Sequence, residues 1–262
     1  MVMTTCKEET LTVRGRKTRL YRGGEGPQLV FLHDPFCPWW LPIHDQLAAH
    51  FEVLLPIQPG FAGSEDGFDQ FEVMEDLIFH HLDLCASLGV ERPTLAGASF
   101  GGWIAAEWAL RYSDTLKSLV LIDPLGLRLD EAPAADIFGL DTAALRRATF
   151  ADPAGALAME IFPETPKADA IVSTILARRA LARFAWQFPD SPRLRRYLDR
   201  VKVPTMILWG EHDGVVPAAH GKAYKESITG AKLATVAGAG HLPHIEAPAV
   251  CADIINKFLR AP

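Results

Sequence analysis

The chain has 262 residues, 49% of them hydrophobic and 22% charged, which suits one large soluble domain or a core domain carrying an insertion. A formal net charge of -6 offers no surface for a polyanion, so nucleic acid is excluded as an expected partner. The opening residues have no apolar stretch of a secretory signal, and no run approaches the roughly 18 residues that span a bilayer, so no membrane association and a cytoplasmic location are expected.

Four cysteines, Cys6, Cys37, Cys85 and Cys251, lie far apart with no CxxC pair and no metal-ligand spacing, and read as reduced thiols. In chain order, residues 10–13 and 18–21 form an antiparallel pair turning at Arg14-Gly15-Arg16. Residues 29–32 make a continuous apolar strand, the pattern of a strand covered by helices on both faces. Residues 51–55, 94–96, 119–122, 206–209 and 233–236 read the same way. Helical patterns over 71–88, 101–112, 218–227 and 247–259 alternate with them, which argues for βαβ units and a mostly parallel sheet. Residues 124–200 break the rhythm. They lack a convincing strand and carry Ala-rich helical stretches, the best over 167–188, punctuated by Pro133, Pro153, Pro163, Pro166, Pro189 and Pro192. This region is expected to be a helical cap inserted into a core formed by 1–123 and 201–262.

The chemistry starts at Gly97-Ala98-Ser99-Phe100-Gly101. G-x-S-x-G alone is weak, because glycine and serine are common. Here it follows a strand and opens a helix, the setting of a strained turn that presents a serine at the top of a sheet. The helix start also aims free N–H groups at a developing negative charge. A serine hydroxyl needs an adjacent base. Trp209-Gly210-Glu211-His212-Asp213 follows one strand and Gly238-Ala239-Gly240-His241-Leu242-Pro243 another, so both loops fall at the carboxyl edge where open α/β sheets gather their sites. Ser99, Asp213 and His241 are therefore the expected nucleophile, acid and base. Asp123, which also ends a strand, is a rival acid. His212 and His244 are weaker base candidates, His244 because it lies beside Pro243, where a helix starts.

The chain resembles the α/β-hydrolase fold superfamily, in its capped esterase and carbon–carbon hydrolase branch, over nearly its whole length. The resemblance rests on Leu32-His33, Pro59-Gly60-Phe61-Ala62-Gly63-Ser64, the Ser99 turn, and the Asp213 and His241 loops. It implies a mostly parallel sheet flanked by helices, with a helical cap insertion. Family members usually carry His-Gly after the first parallel strand, and a backbone N–H just beyond completes the oxyanion hole. Here the residues are His33-Asp34-Pro35-Phe36, and proline has no N–H. The hole is then expected to use the N–H groups of Phe100 and Phe36. Asp34 is expected to point away from the oxyanion or to hold the loop. His33, Asp34, Phe138 and Trp186 are the expected substrate-pocket residues.

Ser99 excludes the relatives with an aspartate at this turn, the haloalkane dehalogenases and epoxide hydrolases. Meta-cleavage-product hydrolases tend to carry asparagine before the serine and tryptophan after the histidine, where this chain has Ala98 and Leu242. The cap supplies apolar surface (Leu140, Phe150, Ile161, Phe162, Phe188) and arginines (Arg146, Arg147, Arg178, Arg179, Arg183), most simply read as packing and solvated positions. The expected function is hydrolysis of a small carboxylic ester or lactone through an acyl-enzyme, with water as co-substrate and no metal or organic cofactor. The alternatives are cleavage of a carbon–carbon bond beside a ketone and a binding protein on a hydrolase scaffold. A homo-oligomer is compatible with the sequence.

Overall fold

A computed structural model describes residues 6–186 and 189–260; the expected contribution of Phe188 lies outside them. Strands β1 (Lys7–Val13) and β2 (Arg16–Gly23) form the antiparallel pair, and β2 runs antiparallel to β4 (Glu52–Pro56). The rest of the sheet is parallel: β3 (Gln28–Leu32), β5 (Thr94–Ala98), β6 (Ser118–Ile122), β9 (Thr205–Gly210) and β10 (Lys232–Val236). The spatial order is β1-β2-β4-β3-β5-β6-β9-β10. Every residue of β5, β6 and β9 is buried, which explains their unbroken apolar runs, since helices cover both faces.

Helix α1 (Pro42–Ala48) precedes β4, and α2 (Met74–Ser87) leads to β5. The Asp76 carboxylate accepts the N–H groups of Glu72 and Val73 and so satisfies the start of α2. Helix α3 (Phe100–Arg111) follows β5 directly, with ten of its residues buried, among them Trp103 and Trp108. After the sheet turns through β10, α9 (Pro243–Glu246) and α10 (Pro248–Leu259) close the chain, each opened by a proline where no N–H is required. Helix α8 (Ala219–Ser227) joins β9 to β10.

Between β6 and β9 lie α4 (Thr142–Thr149), α5 (Ala156–Ile161), α6 (Ala168–Ala185) and α7 (Leu194–Tyr197). The region expected to be free of strands also contains β7 (Gly126–Leu127) and β8 (Asp190–Ser191), which pair in parallel. Two-residue strands are too short to leave a periodic pattern, so the sequence carries no trace of them. The long segment is tied to the core by arginines. Arg183 donates to the carbonyls of Phe71 (2.6 Å) and Asp69 (3.0 Å), and Arg179 pairs with the Asp69 carboxylate. Among the described residues no helix is long and apolar enough to cross a membrane.

Candidate active site

Ser99 sits between β5 and α3 with φ +52° and ψ -115°, a left-handed backbone that costs a non-glycine residue about 1–3 kcal/mol. Its neighbours hold it there. Its N–H donates to the Ile122 carbonyl, and its carbonyl accepts from Trp103 and Leu125. The flanking glycines are steric requirements. A Cβ on Gly97 would lie 2.3 Å from the Gly101 carbonyl oxygen, and one on Gly101 would lie 2.2 Å from that of Leu32. Strand and helix approach at a separation that only glycine permits.

Two loops from the same sheet edge meet this serine. His241 Nε2 lies 2.8 Å from Ser99 Oγ, and His241 Nδ1 lies 2.8 Å from Asp213 Oδ2. The other Asp213 oxygen accepts N–H groups from Val215 and Val216, both at 2.8 Å. The carboxylate is thus fixed on one side by backbone, leaving the other for the imidazole. Since a carboxylate only accepts, Nδ1 carries the imidazole proton and Nε2 faces the serine hydroxyl as an acceptor. Ser99 and His241 are each 1% exposed.

The His241 loop is itself braced. The His241 N–H donates to the Thr149 carbonyl at 2.7 Å. Glu246, which the sequence did not single out, accepts the Gly240 N–H at 2.7 Å and the Ala151 N–H at 2.9 Å. One carboxylate therefore links the histidine loop to the segment after α4. Of the weaker base candidates, His212 is exposed beside Glu211, and His244 is buried 3.1 Å from Asp34. Asp123 does not bond His241; both its oxygens accept the Gly210 N–H, at 3.0 and 3.1 Å. Burial, then the neighbouring Asp213 charge, push its carboxyl well above the ordinary range.

The loop after β3 corrects the sequence expectation. The Phe36 N–H, expected to be a free oxyanion donor, donates instead to Asp34 Oδ1 at 2.8 Å, and the Cys37 N–H does so at 3.0 Å. With Pro35 lacking an N–H, residues 35–37 offer no uncommitted amide. The physical reason is that a buried aspartate folds this turn onto itself: its second oxygen receives His244 Nε2. Burial raises the Asp34 pKa, but the His244 bond and charge and the Phe36 amide outweigh it, so the carboxyl ends below its usual range. Phe100, at the first position of α3, keeps an N–H with no acceptor among the described residues, as a helix start should.

His33 and Asp34 do not offer groups to a pocket either. His33 Nδ1 donates to the Asp34 carbonyl at 2.6 Å and Nε2 accepts the Gln58 N–H at 3.0 Å, so both ring nitrogens are spent on holding two loops together. Burial pushes this imidazole down to about 4. Trp186 is 65% exposed and meets the half-buried Phe138 in a tilted contact with ring centroids 5.4 Å apart, so Trp186 faces solvent at the end of α6. The rings that reach the nucleophile's surroundings are others. Phe184 of α6 lies 5.9 Å from Phe100, while Phe36 meets Phe162 at 5.0 Å and Phe162 meets Phe150 at 5.9 Å. Phe184 was hidden in the sequence because one aromatic on a long amphipathic helix carries no positional signal. Two of the arginines between β6 and β9 hold backbone: Arg146 donates to the Phe162 carbonyl and Arg178 to that of Phe138. Cys37 is buried, and burial raises its thiol well above the ordinary value, which leaves it unreactive.

Comparison with known proteins agrees with this fold. Residues 29–254 match the model of the alpha/beta hydrolase family. The 2-hydroxymuconate semialdehyde hydrolase of Pseudomonas sp. strain CF600 is 27% identical, the alignment covering 94% of this chain and 91% of that protein. The monoacylglycerol lipase ABHD6 of Homo sapiens is 24% identical over 91% of this chain and 77% of its own length. In structure, the 2-hydroxy-6-oxo-6-phenylhexa-2,4-dienoate hydrolase of Rhodococcus sp. strain RHA1 superposes with a TM-score of 0.80 at 17% identity, covering 98% of this chain and all (100%) of that one. A sheet of this order with a serine turn after β5 and a family match over most of its length place the chain in the α/β-hydrolase family.

Proposed function

We propose that this hydrolase cleaves a small, uncharged carboxylic ester or lactone through an acyl-enzyme on Ser99, beneath a helical cap formed by residues 124–200. The observation that carries the reading is the unbroken relay from Asp213 Oδ2 through His241 to Ser99 Oγ, both links 2.8 Å. His241 takes the serine proton as Oγ attacks the carbonyl carbon, and Asp213 stabilises the imidazolium. The oxyanion is met by the Phe100 N–H at the positive end of α3. His241 then returns the proton to the departing alkoxide. A water deprotonated by the same imidazole attacks the acyl carbon, and Ser99 leaves with its proton restored.

Carbon–carbon cleavage is the second reading, favoured by the names of the two dienoate and semialdehyde hydrolases above. The ester reading draws support from Ala98 and Leu242 beside the serine and histidine, and from Arg146, Arg178 and Arg183, whose guanidinium groups hold backbone carbonyls. The four free cysteines support a reducing, cytoplasmic setting.

The test is a p-nitrophenyl ester series of increasing acyl length, run beside a vinylogous 1,5-diketone, with a fluorophosphonate adduct mapped by mass spectrometry. Ester turnover with label on Ser99, abolished in Ser99→Ala, is the expected result. Full turnover by Ser99→Ala sinks the assignment, and diketone turnover without ester turnover replaces it with the second reading.

A further inference from the structure

Asp123 is a buried carboxyl that the proposed mechanism does not use. It ends β6 with φ +40°, a left-handed conformation, and is 0% exposed. One oxygen each from Asp123 and Asp213 and one ring nitrogen of His241 all lie within 4.8 Å of one another. Two carboxylates this close do not both ionise, and burial followed by the Asp213 charge pushes the Asp123 carboxyl up. Asp213 has the two backbone donors and the imidazole; Asp123 has one shared amide, that of Gly210. The negative charge therefore resides on Asp213 and the proton on Asp123. The other titratable groups facing Asp123 are Glu246 of α9, which adds like charge, and the Cys251 thiol of α10, pushed up to about 12 by burial and then by Asp123. His220 of α8 bears on the pair through Asp213.

We propose that Asp123 is a reserve acid of this relay, a positioning residue that keeps its proton beside the Asp213 carboxylate and, when Asp213 is lost, ionises and accepts the Nδ1–H of His241 in its place. The inference rests on the Ser99–Asp213–His241 reading. It adds that the acid function is shared between the ends of two adjacent strands, β6 and β9. No co-reactant is needed: with the like charge gone, the Asp123 proton passes to solvent and the carboxylate takes the imidazole hydrogen bond.

The experiment compares wild type, Asp213→Ala, Asp123→Asn and the double variant in p-nitrophenyl ester hydrolysis from pH 5 to 10, after fluorophosphonate labelling of the wild type. Loss of a triad aspartate alone costs about 10⁴-fold in kcat where no substitute exists; here Asp213→Ala is expected to stay within about 100-fold of wild type, and the double variant to fall the full ~10⁴-fold. Equal losses in Asp213→Ala and the double variant overturn the proposal. An unlabelled Ser99 in the wild type overturns the underlying reading instead. Should Asp213→Ala not fold, the downfield His241 Nδ1–H proton resonance decides between wild type and Asp123→Asn. An extra alkaline step present in the wild type and missing in Asp123→Asn is expected; identical pH responses overturn the proposal.

Discussion

Asp34 and His244 stand 210 positions apart in the chain and meet at 3.1 Å, both buried. The contact pins the turn after β3 to α9, next to the loop that presents His241. Removing one partner leaves the other a buried polar group without its hydrogen bond, which costs about 1–3 kcal/mol. Asp34→Ala also strands the Phe36 and Cys37 amides. We expect that variant to lose stability in this range in urea unfolding, with Asp34→Asn losing less. A loss below about 1 kcal/mol would show that the pair does not hold the turn.

Glu246 should act on catalysis without touching substrate. Its two oxygens tie Gly240, the residue before His241, to Ala151. Glu246→Ala frees the histidine loop on one side, and small misplacements of a catalytic group are costly in rate, so kcat is expected to fall about tenfold or more. Steady-state kinetics at fixed pH checks this. An unchanged kcat with a lowered melting temperature would reduce Glu246 to a structural tie.

The glycines of the serine turn should tolerate nothing larger. Gly97→Ala and Gly101→Ala drive a Cβ into backbone oxygen at 2.3 and 2.2 Å, and both are expected to abolish fluorophosphonate labelling. Gly89→Ala is the contrast. It has φ +66° but open space around its Cβ, so only backbone strain of about 1 kcal/mol applies. Labelling and melting curves of the three variants separate crowding from strain.

Stability should fall on mild acidification. Burial depresses His33 and His80 to about 4 and His44 to about 3, from an ordinary 6.5, and lowers His81 and His220 too. The unfolded chain therefore binds more protons than the folded one in this window. The stability these groups contribute is complete above pH 6.5 and is lost progressively as pH falls toward 4, at about 1.4 kcal/mol for each full pH unit and group. Asp123, Asp190 and Glu246 work the other way, since a raised carboxyl favours the folded state as pH falls, but they are three groups against five. Urea midpoints between pH 8 and 4 check the sign; a flat profile would mean these imidazoles stay accessible to protons.

That Ser99, Asp213 and His241 fall at one sheet edge was legible in the sequence because each carries a local signal, glycines around a polar residue just after a strand. The parallel strands were legible for the same reason, their apolar runs matching β3, β5, β6 and β9 within a residue or two. The pocket was not. His33, Asp34, Phe138 and Trp186 stand out by nearness in sequence or by apolar character, yet the first two are consumed by loop contacts and Trp186 is exposed beside Phe138.

What the sequence by itself determined is thus the alternating core and the order Ser99, Asp213, His241 at its carboxyl edge, since strand period and turn chemistry are properties of neighbouring residues. The tertiary structure alone decided which hydrogen-bond donors stay free. Asp34 captures the Phe36 amide because His244, far along the chain, meets its other oxygen. Asp123 comes to rest against Asp213 because β6 and β9 are neighbours in the sheet. Such contacts depend on chain segments brought together by burial of a common core, and no local pattern encodes them.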